Sequence, residues 1–337
     1  MSRPLISVEN LTVQFRTDEG LVTAVAGASF ELRDGEILGL VGESGSGKSV
    51  TAKSLMQLNP GNTDYGPESR ITMRGDGDAA DINVLELTKA RDLKVIRGGA
   101  ISMIFQEPMA SFAPAITVGK QMVEQLLLHT SMSKTEAKQF SIEMLRRVGI
   151  SDAQHRFGQY AFELSGGMRQ RAMIAMALST QPKLLIADEP TTALDVTIQA
   201  QVIDLMKDLV AEFGMAILFI THDLGVIAQT ADRIAVMYLG DIVETGTVRQ
   251  VIKAPAHPYT KGLLHALPKL DDLGAELTPV AGDIPSPLER PSGCVFHTRC
   301  PEFISGVCDV GVPKMSSLGE GHGVACFAVS ASEGKQL

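Results

Sequence analysis

Apolar and polar positions alternate from the start of the chain. Ile6, Val8, Leu11, Val13 and Phe15 predict two short strands broken near Glu9-Asn10, and residues 22–32 predict a second strand pair. The run Glu36 to Val41 reads as a buried strand, and Ser49 to Met56, free of breakers, as a helix. Residues 59–81 are rich in Gly, Pro, Asn and Asp and read as turns. A helix is expected from about Val84 to Ile96, then a buried strand from Ile101 to Phe105 that ends at Gln106. From about Val118 to Met176 the period is almost wholly helical, with segments near 118–129, 134–148 and 167–179. Strand patterns resume at Lys183–Ala187 and Ala216–Ile220, separated by a helix near 196–213 and followed by a short helix from Leu224. Ile234–Tyr238 and Ile242–Glu244 flank a Gly240-Asp241 turn and suit a hairpin. From Lys253 the composition shifts to Pro, Gly and His, which opens a separate C-terminal region. The alternation of strands with helices predicts an α/β core interrupted by a helical subdomain, without an internal repeat.

Composition changes this picture little. With 337 residues, 45% hydrophobic and 20% charged, the chain can bury a sizeable core, as one large domain plus an appendage or as two domains. No apolar run approaches the roughly 18 to 20 residues that span a bilayer. The start Met1-Ser2-Arg3-Pro4 leads into a strand pattern without a signal-peptide core, so a cytoplasmic location is expected, with any membrane association supplied by a partner. A net charge of −9 argues against a broad nucleic-acid-binding surface.

The chemistry begins at Gly42-Glu43-Ser44-Gly45-Ser46-Gly47-Lys48-Ser49, which fits G-x-x-x-x-G-K-[ST] between a predicted strand and helix. Gly42, Gly45 and Gly47 let backbone approach phosphate, and the flanking amides of a run that includes Ser44 can cradle it. Lys48 can reach the β- and γ-phosphates and the Ser49 hydroxyl can hold Mg²⁺. The apolar strand Leu184 to Ala187 delivers Asp188 and Glu189 at its end, the first suited to Mg²⁺ and the second to polarising an attacking water. Leu164-Ser165-Gly166-Gly167-Met168-Arg169-Gln170-Arg171 starts another helix and so offers a second anion-binding N-terminus. Phe15, shortly before the phosphate loop, is either a ring that stacks on adenine or simply core.

In this order the motifs resemble those of the ATP-binding cassette (ABC) family: the phosphate loop, Gln106 as the Q-loop, Leu164 to Gln170 as the signature, Asp188-Glu189 as Walker B, Ala193-Leu194-Asp195 as the D-loop and His222 as the switch histidine. The resemblance covers about residues 5–250. It implies a P-loop NTPase core with an N-terminal antiparallel β subdomain, a helical subdomain inserted at about 110–180, and a cassette ending near 252. It also implies a head-to-tail dimer in which the phosphate loop of one cassette and Ser165, Gly166 and Gly167 of the other sandwich each ATP. His222 then contacts the γ-phosphate, Glu189 acts as the base, and Gln106 bridges Mg²⁺ or the attacking water and the loop that faces a transmembrane partner.

His257-Pro258-Tyr259-Thr260-Lys261-Gly262-Leu263-Leu264 is similar to the C-terminal extension of ATPases from oligopeptide, dipeptide and nickel importers. Two departures stand out, Glu107 where Asp is usual and Ala161-Phe162-Glu163 where Pro-His-Glu is more common. The implied partners are a second cassette subunit, by default a different chain and alternatively a copy of this one, two permease subunits and a solute-binding protein outside the membrane; nucleic acid is not expected. A soluble cassette ATPase of DNA repair or translation is the rival, but such proteins carry two cassettes or a long coiled-coil insertion, and neither appears. A regulatory module that binds without turnover is the third reading.

All four cysteines lie after residue 293, as Cys294, Cys300, Cys308 and Cys326, in a C-terminal segment 253–337. Their spacing, C-x5-C-x7-C-x17-C, is compatible with Zn²⁺ or an iron–sulfur cluster and lacks the paired C-x2-C of common zinc modules. Disulfides are disfavoured in a reducing compartment. The resemblance to peptide-importer ATPases implies a [4Fe–4S] cluster with a structural role. His297 and His322 nearby are expected to be solvated.

Overall fold

The structure, a computed structural model, describes residues 3–77, 79–191, 196–266 and 280–329. These form two compact units, one built from 1–5, 32–37 and 83–220, the other from 6–31, 38–82 and 221–337.

The first unit is a parallel sheet with helices. Strands Ile101–Ile104, Leu184–Asp188 and Ala216–Thr221 pair in parallel, Ile101 opposite Leu184 and Leu184 opposite Ala216. Each is buried along its length, which explains the continuous apolar runs in place of alternation. Helices Val118–His129, Lys134–Arg147, Gly166–Ser179 and Val196–Phe213 fall where the period put them. Lys134 begins its helix because Ser133 and Glu136 form a capping box, the Ser133 hydroxyl accepting from the Glu136 N–H while the Glu136 carboxylate takes the Ser133 N–H. Val123, Leu126 and Ala137 pack this helical part with Met132, Phe140 and Phe157. The helix expected from Val84 to Ile96 is instead a single 3₁₀ turn, Val84–Glu86, and a helix Ala90–Ile96, because Leu87 and Lys89 are extended between them.

The second unit contains an antiparallel sheet and a mixed one. Residues 6–17 and 20–32 form one long strand each rather than pairs of short ones. The expected break at Asn10 is a single residue in the left-handed region (φ 48°), whose N–H donates to the Ser29 hydroxyl at 2.9 Å, so the strand continues past it. Two short strands hide in the turn-rich run: Thr63–Tyr65 and Arg70–Met73 both pair antiparallel with Ile6–Thr17. In the mixed sheet Arg233–Tyr238 pairs in parallel with Ile37–Val41 and in antiparallel with Asp241–Thr247. Leu239 and Gly240 both have positive φ (44° and 89°), the mark of a two-residue hairpin turn whose twist matches the strands.

The region after Lys253 belongs to this second unit. Its helix Pro258–His265 starts on the His257 ring, and its strand His322–Val324 extends the sheet by pairing with Asp241–Thr247. Glu244, wholly buried, fastens the region: its carboxylate accepts from the Ala256 N–H (2.8 Å) and the His257 N–H (2.9 Å), and Oε1 lies 2.8 Å from His322 Nε2. His322 is therefore buried and paired, where solvation was expected, because a carboxylate taken out of water requires partners.

Candidate functional site

The candidate residues fall in two groups, one in each unit. In the second unit the phosphate loop follows strand Ile37–Val41 and runs into helix Lys48–Ser54. Gly42 has φ 158°, and a Cβ there would lie 2.1 Å from the Met237 carbonyl oxygen. Gly47 has φ 100°, and its Cβ would lie 2.5 Å from the Ala24 carbonyl oxygen. Both positions therefore exclude any side chain, and the backbone itself becomes the loop's inner wall. Lys48 is buried and donates to the carbonyls of Gly42 and Glu43, each at 2.8 Å, and to the Ser46 hydroxyl at 3.3 Å. Ser44 and Gly45 are exposed at the loop's tip, and no side chain caps the helix at Gly47. A loop whose three glycines lack Cβ atoms, with the Lys48 ammonium and the Ser49 hydroxyl at its helix end, fits a polyphosphate and its Mg²⁺.

Phe15 lies half-buried in its strand, paired through the backbone with Thr63. His222 directly follows strand Ala216–Thr221 and is exposed. The next residue, Asp223, caps helix Leu224–Thr230 by accepting from the N–H groups of Gly225 and Val226.

In the first unit, Asp188 is the buried last residue of strand Leu184–Asp188. Glu189 turns out of the strand with φ 47°, a conformation that costs a non-glycine residue about 1–3 kcal/mol and is retained where the surroundings impose it. Here they do: its N–H donates to the Ile220 carbonyl at 2.9 Å, and Gln106 Nε2 donates to its Oε2 at 3.0 Å. The fold thus brings together two residues separated by 83 positions in the chain.

Ser165 caps helix Gly166–Ser179, its hydroxyl accepting from the Met168 N–H at 3.3 Å, and Gly166 faces open space. One link in this unit was not foreseen: buried Gln170 donates from Nε2 to the Pro190 carbonyl at 2.5 Å, tying the helix that begins at Ser165 to the residue after Glu189. A buried amide on an otherwise apolar helix face was the available signal. The D-loop residues Ala193, Leu194 and Asp195 lie outside the described residues.

The four thiols share one neighbourhood of the second unit. Cys294 donates its N–H to the Cys308 carbonyl at 2.7 Å, and Cys308 and Cys326 are buried. Burial pushes the Cys294 and Cys300 thiols up to about 11, with neighbouring cysteines adding to both. Thiols so placed stay protonated at neutral pH, whereas a metal ligand must be thiolate. Among the described residues no three His, Cys, Asp or Glu side chains gather closely enough to hold a metal ion. The four cysteines expected to hold a cluster or zinc thus do not form a metal site among the described residues.

With the phosphate loop and the paired Gln106 and Glu189 in view, comparison with known proteins defines the class: the chain belongs to the ABC transporter family, whose model matches residues 25–192. A second model, the oligopeptide/dipeptide transporter C-terminal region, matches 243–308. Among individual relatives, the oligopeptide transport ATP-binding protein OppD of Salmonella typhimurium is 48% identical over 96% of this chain and 93% of its own. The dipeptide transport ATP-binding protein DppD of Bacillus subtilis is 47% identical over 96% and 94%. A putative peptide import ATP-binding protein of Brucella abortus is 47% identical over 97% and 98%. Of solved structures, a dimeric ATP-binding cassette in a post-hydrolysis state, bound to ADP and Pi, matches with TM-score 0.64 at 26% identity, covering 72% of this chain and 99% of its own. No helix among the described residues is long and apolar enough to cross a membrane.

Proposed function

We propose that this chain is the ATP-hydrolysing subunit of an importer for peptides or related small solutes, working on the inner face of the membrane with separate permease subunits. The observation that carries the enzymatic half is the hydrogen bond from Gln106 to Glu189, which orients a carboxylate held out of its strand in a strained backbone conformation. The peptide half is supported by similarity over nearly the whole length to proteins named for peptide, dipeptide and oligopeptide transport.

In this reading Gly42, Ser44, Gly45, Gly47 and Lys48 hold the triphosphate, and Phe15 packs near the base. Ser49, Asp188 and Gln106 supply oxygens for Mg²⁺, which would offset the phosphate charge when bound. Glu189 accepts a proton from the attacking water, and His222 senses the γ-phosphate. Residues 1–252 form the cassette and 253–337 the extension. Ser165, Gly166 and Gly167 face the nucleotide of a second cassette subunit, in a different but related chain or a copy of this one. Two permeases and a solute-binding protein complete the system. For the four cysteines the reading is a [4Fe–4S] cluster or Zn²⁺ gathered after folding; the hydrogen bond from the Cys294 N–H to the Cys308 carbonyl, which brings two of them together, supports it. Iron, sulfide and zinc analysis of anaerobically purified protein, with and without Cys300→Ser, decides this.

Glu189→Gln tests the enzymatic role. It should retain ATP while hydrolysis falls about a hundredfold or more, as loss of a general base requires. Unchanged turnover would remove Glu189 from that role. Uptake of a labelled peptide should vanish in cells lacking the chain and return with the wild type but not with Glu189→Gln.

A further inference from the structure

Every polar group of Glu43, the second residue of the phosphate loop, is engaged. Its carbonyl accepts from Lys48 Nζ at 2.8 Å. Its N–H donates to the Tyr259 phenol oxygen at 2.8 Å, across 216 positions of sequence. Its carboxylate takes both ends of the Arg299 guanidinium, Nη1 to Oε2 at 2.8 Å and Nη2 to Oε1 at 3.2 Å, across 256 positions. The Glu43 carbonyl also accepts from the Ser46 N–H at 3.2 Å, so of four partners two, Tyr259 and Arg299, come from the C-terminal extension.

Both side chains of the extension are themselves fixed. Tyr259 is fully buried, with its ring 4.7 Å from that of Tyr238 and 5.4 Å from that of Phe296, and its N–H donates to His257 Nδ1 at 3.0 Å. The Arg299 side chain is 3% exposed and also donates to the carbonyls of Ala281 (2.9 Å) and Val280 (3.1 Å) and, at 3.4 Å, to the Tyr238 phenol. A guanidinium with this many partners, out of water, is a rigid fork rather than a mobile surface charge.

We propose that Tyr259 and Arg299 are positioning residues for the phosphate loop, acting through Glu43, so that the C-terminal extension helps set nucleotide affinity. This rests on the reading of Gly42 to Ser49 as the ATP-phosphate cradle. The physical argument concerns Lys48. Its three donors now tie the loop together from inside, on the Gly42 and Glu43 carbonyls and the Ser46 hydroxyl, and it must give up some of these bonds to reach a phosphate. A loop held only by Lys48 would loosen at the moment of binding and would cost ordering entropy. With Tyr259 on the amide and Arg299 on the carboxylate, Glu43 stays in place while Lys48 moves. The extension thus preorganises the cradle without touching the nucleotide.

The test is calorimetric binding of MgATP to the full chain, wild type and variants, with thermal unfolding measured in parallel without nucleotide. Tyr259→Phe removes one oxygen and should weaken binding about fivefold; Arg299→Gln should weaken it about tenfold, and Arg299→Lys, which keeps charge but not the fork, should fall between. In the assembled transporter the KM for ATP should rise with kcat little changed, a split that a general loss of structure would not give. On a Glu43→Gln background, Arg299→Gln should add little, since the pair acts as one unit. Wild-type binding with both variants matching it would overturn the proposal, as would lower thermal stability with unchanged affinity. Failure of the wild type to bind MgATP would instead overturn the reading of the phosphate loop. Should Arg299→Gln fail to fold, Tyr259→Phe, which fills the same space, decides alone.

Discussion

The chain contains two glycine-rich turns that open helices, and the fold treats them differently. The phosphate loop is held from several directions: Lys48 ties it from inside, the carbonyls of Met237 and Ala24 press on its glycines, and Tyr259 and Arg299 hold Glu43. Among the described residues the turn at Ser165 is capped through the Met168 N–H of its own helix, and a Cβ added at Gly166 would meet open space. A loop that needs so much internal bracing is finished before its ligand arrives. The open turn at Ser165 suits the proposed reading, in which a second cassette presents its nucleotide there. The two motifs have similar composition and differ in their surroundings, which is what the proposed resident and donated sites require.

This contrast can be broken by substitution. Lys48→Ala should have the largest effect, lowering the MgATP affinity of the isolated chain about a hundredfold by removing charge-assisted bonds to phosphate. Gly166→Asp should shift that affinity far less, yet lower hydrolysis by the assembled transporter by a comparable factor, since a carboxylate would face the partner's phosphates. Equal losses of binding from both substitutions would erase the distinction. Gly42→Ala sharpens it on the side of stability: the added methyl collides with the Met237 carbonyl, and chemical denaturation should register a loss of about 1–3 kcal/mol. No such loss is expected for Gly166→Ala.

The smallest effect concerns acid. Burial, with Lys261 adding, pushes His257 from 6.5 down to about 3, so the ring is neutral in the fold and accepts the Tyr259 N–H. The unfolded chain binds that proton below about pH 6.5 and the folded chain does not. The stability due to this group is therefore complete above pH 6.5 and falls by about 1.4 kcal/mol per pH unit as the medium is acidified toward 3. His257→Asn, which keeps an acceptor and removes the titration, should flatten that slope in urea unfolding compared near pH 7 and pH 5.

The parts legible in the sequence were those written locally. A buried strand, the run Gly42 to Ser49 and a helix are consecutive, so sterics and hydrogen bonding in a short window dictate the turn. The helices at 118–129 and 134–147 followed from period and capping in the same way. Less legible was whatever depended on a partner strand: Thr63–Tyr65 and Arg70–Met73 are three and four residues long and exist because Ile6–Thr17 lies beside them. Least legible were the long-range polar pairs. Nothing around Tyr259 or Arg299 indicates Glu43, and nothing around His322 indicates Glu244, because these pairs arise only when distant segments share one unit. The cysteines were legible only as a cluster in sequence: burial pushes Cys294 and Cys300 up, and among the described residues no metal-sized gathering forms, so what they hold is left to the proposed test.

Glu244 has a consequence for how the protein is made. Two partners of its carboxylate, the N–H groups of Ala256 and His257, follow it by 12 and 13 residues, but His322 is 78 residues further along. The phosphate loop is synthesised well before its braces at 259 and 299, which follow Glu43 by 216 and 256 residues. A nascent chain therefore carries its nucleotide motif long before that motif is secured. Cleavage before residue 322 would remove the His322 partner of the buried carboxylate, whose other partners, Ala256 and His257, lead into the helix that carries Tyr259 to Glu43.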